Sequence, residues 1–337
     1  MPELVTLTAI TEAAARIRGV VRRTPILELS PLSALGPAGT APLRVKCENF
    51  QPIGAFKIRG ASNMLARLPA HARRRGVITY SSGNHGLALA FAAKRLGVPA
   101  VIVMPTTAPA IKVEGARGLG AEITFEGTTT IQRKARAERI AAERSLTVVP
   151  PFDHEWIIAG QGTIGLEILE QCPEVATVYV PVGGGGLISG VAAAIKRSKP
   201  SVSIVGVEPT GAPKLTASLR AGQPVTIEDV SSIADGLLTV RPGELTFAHI
   251  KAFADRVVTI DDAATREAMR ALFHDGKMVA EPSGAITVAA AMADAKGELG
   301  GTLVRADAPK PGPGPAVAVI SGGNIDAERF CRYIGGQ

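Results

Sequence analysis

The sequence has few cysteines, few aromatic residues and no long apolar run. Its 337 residues include three cysteines, Cys47, Cys172 and Cys331, which match neither a zinc-binding pattern nor a disulfide framework. We therefore expect a reducing, cytoplasmic environment. No apolar run reaches the ~18 residues that a membrane span needs, and the first residues lack the basic end and apolar core of a signal peptide. These absences predict a cytoplasmic protein with no membrane partner.

Acidic residues are outnumbered by basic ones, and the formal net charge is +7. The basic stretch 133–144 is interleaved with Glu at helical spacing, which is typical of a solvated helix face. Aromatic residues make up only 4% of the chain, and no nucleic-acid reader motif accompanies the charge. We therefore predict no nucleic-acid partner. A basic surface would instead attract small anionic metabolites.

Glycine is abundant, with 37 residues, and short apolar runs alternate with helical segments. This alternation predicts an α/β fold with mostly parallel sheets flanked by helices, and the length allows two domains. The predicted strands are 43–47, 77–80, 100–104, 122–125, 146–149, 177–182, 203–207, 256–260 and 316–320. The stretch 294–315, rich in Gly and Pro, is predicted to be an exposed excursion before the last strand. About one helix of sequence follows that strand, so we expect no appended regulatory domain.

Three segments resemble ligand-binding turns at the carboxyl ends of strands, where helix N-termini begin. In the first, a strand leads into four consecutive glycines, 183–186, and then into a helix near Leu187. Glycines leave their N–H groups accessible to a phosphate. The run is neither a Walker loop nor a dinucleotide-binding fingerprint. An anion site and a tight structural turn both fit the sequence here.

The second segment, 80–86 (YSSGNHG), concentrates hydroxyl, amide and imidazole groups at a helix N-terminus. It suits a carboxylate ligand, although an N-cap by Ser82 or Asn84 would explain part of it. The third segment, 49–60, places Lys57 at the head of an apolar helix face. Such a lysine can have a lowered pKa that favours Schiff-base chemistry, or it can extend along the surface into solvent.

The motifs FKIRGA, SSGNHG, AGQGT, GGGGL, EPSGA and SGGN occur in this order along the chain. Together they resemble fold-type II pyridoxal-5′-phosphate (PLP) enzymes of the threonine/serine dehydratase (ammonia-lyase) and serine racemase group. The resemblance covers nearly the whole chain. It implies a tryptophan-synthase-β-like fold with two open, mostly parallel sheets. It also implies a large PLP-binding domain of residues 1–69 plus 148–337, a small mobile domain of residues 70–147, and a homodimer.

The same resemblance assigns roles to individual residues. Lys57 would form a Schiff base with PLP and, once freed by the substrate, act as the base for the Cα proton. Phe56 would pack beside the ring, Asn84 would bond to the ring hydroxyl, and Ser321 would face the pyridine nitrogen. The phosphate would be held by the amides of Gly183, Gly184, Gly185, Gly186 and Leu187. The substrate carboxylate would be bound by Ser81, Ser82, Gly83, Asn84 and His85.

The resemblance predicts a dehydratase that converts a β-hydroxy amino acid of the L-threonine or L-serine type into a 2-oxo acid and ammonia. Ser82 resembles the serine that racemases place on the far face of the ring, where it acts as a second catalytic base. An amino acid racemase with side elimination activity is therefore an alternative. Phe152 matches the dehydratase pattern and favours elimination. A non-catalytic amino-acid sensor is a third alternative, although such a protein would not need Lys57.

Some polar residues carry weaker signals. Racemases of this group bind Mg²⁺ or Ca²⁺ through carboxylates that follow the strand ending near Glu208. Here the next segment, 209–215, contains no second acid, so no metal site is predicted. Glu281 is interpreted either as an acid near the cofactor or as a helix-start residue. His154 is expected to serve its loop, and Asp235 is assigned no role. No single residue specifies the size of the accepted substrate side chain.

Overall fold

The computed structural model describes residues 2–29, 43–81, 83–108, 110–309 and 312–335. Within these ranges, the strands are β1 Ile26–Glu28, β2 Leu43–Cys47, β3 Val77–Tyr80, β4 Ala100–Met104, β5 Glu122–Phe125, β6 Thr147–Val148, β7 Thr177–Pro181, β8 Ser203–Pro209, β9 Arg256–Ile260, β10 Thr302–Leu303 and β11 Ala316–Ile320. The helices are α1 Leu7–Arg16, α2 Lys57–Arg67, α3 Ala70–Arg75, α4 Asn84–Leu96, α5 Ala110–Gly118, α6 Thr130–Arg144, α7 Glu155–Gln171, α8 Gly186–Ser198, α9 Lys214–Ala221, α10 Glu244–Phe253, α11 Asp262–His274, α12 Pro282–Ala295 and α13 Ala327–Ile334.

The strands form two sheets. The large sheet has the order β1-β2-β11-β7-β8-β9-β10, and the small sheet has the order β5-β4-β3-β6. The pairs from β2 to β9 in the large sheet are parallel, whereas β1 and β10 pair antiparallel at the two edges. All pairs of the small sheet are parallel. The predicted α/β fold with two mostly parallel sheets is confirmed.

The predicted strands are present, and their ends differ from the predictions by at most two residues. The two edge strands, β1 and β10, were not predicted. β10 lies inside the stretch 294–315, which is predicted as an exposed excursion before the last strand, and Leu303 of β10 is 67% exposed. It pairs Thr302 with Val257 and Leu303 with Arg256. Strands of two or three residues are too short to show the alternation on which the prediction depends.

Close helix packing positions the N-terminus of α2. A Cβ atom on Gly160 of α7 would lie 2.6 Å from the Cα atom of Gly60 in α2, so the two backbones touch where both residues are glycine. The strands of the small sheet fall between residues 77 and 148. The proposed domain boundaries and the mobility of residues 70–147 stay predictions.

The three cysteines are free thiols: Cys47 and Cys172 are buried, and Cys331 is exposed. In the part of the chain that the structure describes, the helices are too short or too polar to cross a lipid bilayer.

Candidate active site

Lys57 begins α2 beside the carboxyl end of the large sheet. The main-chain N–H of Phe56 donates to the carbonyl oxygen of Ser321 at 3.0 Å, which ties the start of α2 to the end of β11. The side chain of Lys57 is half-buried, and its Nζ donates to the carbonyl oxygen of Pro151 at 2.7 Å. Burial lowers the pKa of Lys57 to about 8. A substantial fraction of this amine is therefore neutral near pH 8, and a neutral amine can act as a nucleophile and as a base.

A network of buried ion pairs holds α2 in place. Arg59 lies 2.8 Å from Glu48 and 2.7 Å from Glu167, and Lys46 lies 2.5 Å from Glu167. Burial alone would raise the pKa of Glu48, but the charge of Arg59 keeps it below its ordinary value. Buried charges are tolerated when they are paired in good geometry. These four residues, here called the Arg59 network, therefore hold the lysine-bearing helix in one position.

The glycine turn, residues 183–186, presents main-chain N–H groups at the start of α8. Among the described residues, none accepts a hydrogen bond from the amides of residues 183–187. Gly185 has a φ of +98°, a conformation that favours glycine. A Cβ atom on Gly184 would lie 2.3 Å from the ring of Phe152, so a side chain has no room there. Free amides at a helix N-terminus form an anion site, and this geometry favours that interpretation over a purely structural turn.

Three side chains from distant segments meet beside the turn of residues 80–86. The Nδ2 atom of Asn84 donates to Oε1 of Glu281 at 2.7 Å. The Oδ1 atom of Asn84 accepts from Nδ2 of Asn324 at 2.8 Å, and the same Nδ2 donates to the carbonyl oxygen of Ile53. These contacts, here called the Asn84 cluster, link the helix that follows β3 in the small sheet to the large sheet. Asn324 was not predicted as a site residue, although it lies in the SGGN motif.

Glu281 is 5% exposed and immediately precedes α12. Burial, reinforced by the negative charge of Asp235, raises the pKa of Glu281 to about 8, although the hydrogen bond from Asn84 opposes this shift. The side chain makes no capping hydrogen bond to α12. Of its two predicted roles, Glu281 therefore has the helix-start position, but its carboxyl group is bonded within the Asn84 cluster.

The turn of residues 80–86 also presents N–H groups. Within the described residues, the amides of residues 84–86 have no acceptor. The buried ring of His85 places Nε2 at 3.2 Å from the carbonyl oxygen of Val149, while Nδ1 has no partner among the described residues. Since a carbonyl oxygen only accepts, Nε2 carries the proton and Nδ1 is an acceptor. Burial, together with the charge of Lys57, lowers the pKa of His85 to about 3. A carboxylate would therefore be bound by the main-chain amide of His85 rather than by its neutral ring.

Ser82, predicted as a catalytic and carboxylate-binding residue, lies outside the described residues. Its neighbours are placed: Oγ of Ser81 accepts from the N–H of Gly83 at 3.3 Å. Ser321 is 4% exposed, and its hydroxyl donates to the carbonyl oxygen of Ser283 at 3.1 Å.

Two further polar residues from the sequence analysis have structural partners. The Nδ1 atom of His154 accepts from the N–H of Trp156 at 3.0 Å and caps α7, which confirms its expected role in the loop. Asp235 lies 3.6 Å from Nζ of Lys112 in α5 and 3.8 Å from the guanidinium of Arg329. Asp235 therefore connects α5, which follows β4 of the small sheet, to the large sheet.

Lys57 and the glycine turn share neighbours. Lys57 bonds to Pro151, and the next residue, Phe152, packs on the turn. A lysine amine of lowered pKa beside a row of free amides fits a ligand that carries both an aldehyde and a phosphate. Residues 17–305 match the family described as "Pyridoxal-phosphate dependent enzyme". The chain belongs to this family. PLP is therefore its cofactor. Its aldehyde and phosphate fit the amine of Lys57 and the free amides of the glycine turn, where no side chain intervenes.

Relatives from bacteria, fungi and plants are similar over nearly the whole chain. The L-threonine ammonia-lyase of Thermotoga maritima is 40% identical over 333 residues, which cover 98% of this chain and 78% of that protein. The L-threo-3-hydroxyaspartate ammonia-lyase of Saccharomyces cerevisiae is 40% identical over 329 residues, covering 97% of this chain and 96% of that protein. The structure of maize serine racemase is similar with a TM-score of 0.89 and 38% identity, and covers 99% of this chain and 98% of that chain.

Proposed function

We propose that this chain is a PLP-dependent ammonia-lyase that eliminates water from a 3-hydroxy amino acid of the L-threonine or L-serine type. The products would be a 2-oxo acid and ammonia. The observation that carries this proposal is the amine of Lys57, which donates to the carbonyl oxygen of Pro151 and has a pKa lowered to about 8. It is joined by the turn amides of residues 183–187, which have no acceptor among the described residues. Two of the relatives above, each 40% identical, are named as ammonia-lyases.

The chain's own residues would bind the cofactor at several points. Nζ of Lys57 would hold its aldehyde carbon, and the amides of residues 183–187 would hold its phosphate. Phe56 would pack beside the ring, the Asn84 side chain would bond to the ring hydroxyl, and the hydroxyl of Ser321 would face the pyridine nitrogen. When bound, PLP supplies an electron sink for the electrons of the substrate Cα–H bond.

The residues of the site would then move and position protons. Nζ of Lys57, freed when the substrate amine takes its place, would be a neutral amine that accepts the Cα proton. The amides of residues 84–86 bind the substrate carboxylate and thereby fix the direction of the Cα–H bond. The β-hydroxyl would leave with a proton as water, and Nζ of Lys57 would regain its place and release the product as an enamine. The enamine would then react with one water to give the 2-oxo acid and ammonia. Ser321 offers a hydroxyl instead of a carboxylate, which does not enforce a protonated pyridine and favours prompt elimination.

A panel of substrates tests the proposal. The holoenzyme is incubated with L-threonine, L-serine and L-threo-3-hydroxyaspartate, and ammonia and 2-oxo acid are measured separately. We expect equal amounts of both products from at least one of the three. Absence of both products with all three, from protein that has bound PLP, would contradict the proposed reaction.

An amino acid racemase is the second candidate, and the likeness to maize serine racemase supports it. Ser82 would be its second base, as the sequence resemblance implies. Chiral analysis of the products from L-serine separates the two candidates. Elimination predicts more pyruvate than D-serine, and an excess of D-serine would make racemisation the main activity.

We also propose that the enzyme acts in the cytoplasm as a homodimer. The three free thiols support a reducing compartment, and the sequence resemblance supports the dimer. Light scattering of the holoenzyme at several concentrations measures the mass, and a monomer at all of them would contradict the dimer.

A further inference from the structure

Lys214 is a fully buried lysine that the proposed reaction does not use. Its side chain is 0% exposed. Its Nζ donates to the carbonyl oxygen of Val182 at 2.6 Å and to that of Leu237 at 3.0 Å. The same Nζ lies 3.7 Å from Oε2 of Glu208. Three oxygen atoms therefore surround one ammonium group inside the protein.

The position of Lys214 is unfavourable for helix stability. It is the first residue of α9, where the helix dipole disfavours a positive charge. Glu208 already satisfies this helix end, since its two oxygens accept from the N–H groups of Leu215 and Thr216 at 2.9 and 2.8 Å. Burial lowers the pKa of Lys214 to about 8, with Glu208 acting in the opposite direction. A buried cation at this position therefore needs a reason other than the stability of α9.

The first carbonyl partner of Lys214 belongs to the peptide unit that opens the glycine turn. Val182 and Gly183 share one planar trans peptide, in which C=O and N–H point in opposite directions. Fixing the carbonyl of Val182 toward Lys214 therefore aims the N–H of Gly183 away from it. A hydrogen bond to a charged donor also polarises the peptide, which makes the N–H at its other end a stronger donor.

The second carbonyl partner belongs to a segment that borders the same turn. Leu237 ends a short 3-10 helix at residues 235–237. The carbonyl oxygen of Gly236 lies 3.1 Å from the position that a Cβ atom on Gly183 would take. The N–H of Gly236 donates to Oγ of Ser283 at 3.0 Å. Lys214 therefore joins the glycine turn to residues 235–237, and these residues in turn contact α12.

We propose that Lys214 is a positioning residue for the phosphate of the cofactor. Its ammonium group fixes the peptide between Val182 and Gly183, and through it the donor geometry of the glycine turn. The inference rests on the proposed role of that turn in binding phosphate, but not on which reaction the enzyme performs.

Binding of PLP and of pyridoxal, which lacks the phosphate, tests the inference. The apo forms of the wild type and of Lys214→Met are titrated with each compound, and the visible absorbance of the lysine adduct reports binding. The variant loses the charge-assisted hydrogen bonds to the carbonyl oxygens of Val182 and Leu237. Loss of the bond to Val182 should weaken PLP binding by ~10-fold or more. Binding of pyridoxal should change by less than ~3-fold, because its contacts do not include the turn.

Two further variants separate positioning from stability. Lys196→Met removes another buried lysine, 6% exposed and paired with Asp255 at 2.6 Å, at the far end of α8. This variant should leave the ratio of PLP to pyridoxal affinity unchanged. The double variant Glu208→Gln, Lys214→Met removes both charges of the pair. If Lys214 served only to neutralise Glu208, the double variant would regain wild-type PLP affinity, which would overturn the inference. We expect PLP binding to stay weak.

The outcomes distinguish this inference from the assignment on which it rests. If wild-type protein bound PLP no more tightly than pyridoxal, the glycine turn would not be the phosphate site, and both statements would fail. If the wild type preferred PLP and Lys214→Met preferred it equally, only the role of Lys214 would be refuted. The double variant keeps this comparison possible even where the single variant does not fold.

Discussion

The Arg59 network and the Asn84 cluster are both buried and polar, but they differ in how their charges are balanced. In the Arg59 network each charge lies within 2.8 Å of an opposite charge. In the Asn84 cluster the only acid, Glu281, is bonded to an amide and, within the described residues, forms no ion pair. The residues of the Arg59 network therefore keep their charges, whereas Glu281 of the Asn84 cluster has a pKa of about 8, close to neutral pH.

The two groups therefore have different roles: the Arg59 network supports the helix that carries Lys57, and the Asn84 cluster responds to pH. Paired buried charges favour one geometry at all moderate pH values, which suits a group that holds the lysine-bearing helix. A buried acid with a pKa of about 8 changes its charge under ordinary conditions. The Asn84 cluster is therefore the part of the site that pH should affect. The Arg59 network is the part whose loss should most lower the free energy of unfolding.

The largest effect on stability should follow the loss of one charge from the Arg59 network. Glu48→Gln leaves the side chain's shape but removes the buried partner of Arg59. We expect the free energy of unfolding to fall by about 3–5 kcal/mol in urea denaturation. The matched control is Glu170→Gln, which removes an exposed pair with Arg23 at 2.9 Å. That control should cost less than about 1 kcal/mol, and equal losses in the two variants would contradict the comparison.

A smaller effect, and one that depends on pH, should follow Glu281→Gln. The folded apoprotein holds the Glu281 proton up to about pH 8, whereas an ordinary glutamate loses it near 4.5. The stability of the wild type relative to the variant is therefore greatest below pH 4.5 and is lost as the pH rises towards 8. Between pH 6 and pH 8 the difference should change by about 2–3 kcal/mol, since each pH unit contributes about 1.4 kcal/mol.

Urea denaturation of both proteins across this range measures the effect of Glu281→Gln. The variant keeps an oxygen that can accept from Asn84, so the hydrogen bond is retained. A difference in unfolding free energy that stays constant from pH 6 to pH 8 would show that Glu281 is not a buried acid of raised pKa.

The smallest effect on stability should follow Asn324→Ala, which removes the donor that orients Asn84. The loss should be about 1–2 kcal/mol, because two ordinary hydrogen bonds are lost, and kcat should fall because Asn84 is no longer oriented. Asn49→Ala removes a comparable bond, to the carbonyl oxygen of Val279 at 3.0 Å, and should leave kcat unchanged. Equal changes in kcat would show that Asn324 acts only on stability.

The sequence predicted those parts of the site that lie within short continuous segments. Lys57 and the glycine turn are recognisable because their neighbours along the chain show the strand end, the turn and the helix start. The Asn84 cluster was predicted only in part, because Asn84 lies 197 residues from Glu281 and 240 residues from Asn324. No spacing rule relates such distant positions.

The buried charges could not be predicted from the sequence. Lys46 in β2 and Arg59 in α2 resemble ordinary solvated residues of a strand and a helix, yet both are 0% exposed. Their burial depends on Glu167, which reaches them from α7. The edge strands β1 and β10 were not predicted for a different reason. Two or three residues are too few to show a periodic pattern of apolar residues.

The proposed function requires that Nζ of Lys57 binds the cofactor, and chemical trapping shows whether it does. The holoprotein is reduced with borohydride, digested with protease and mapped by mass spectrometry, with Lys57→Ala treated in parallel. We expect one stable PLP adduct on Lys57 and none at that position in the variant. An unmodified Lys57, with the adduct on another lysine, would contradict it.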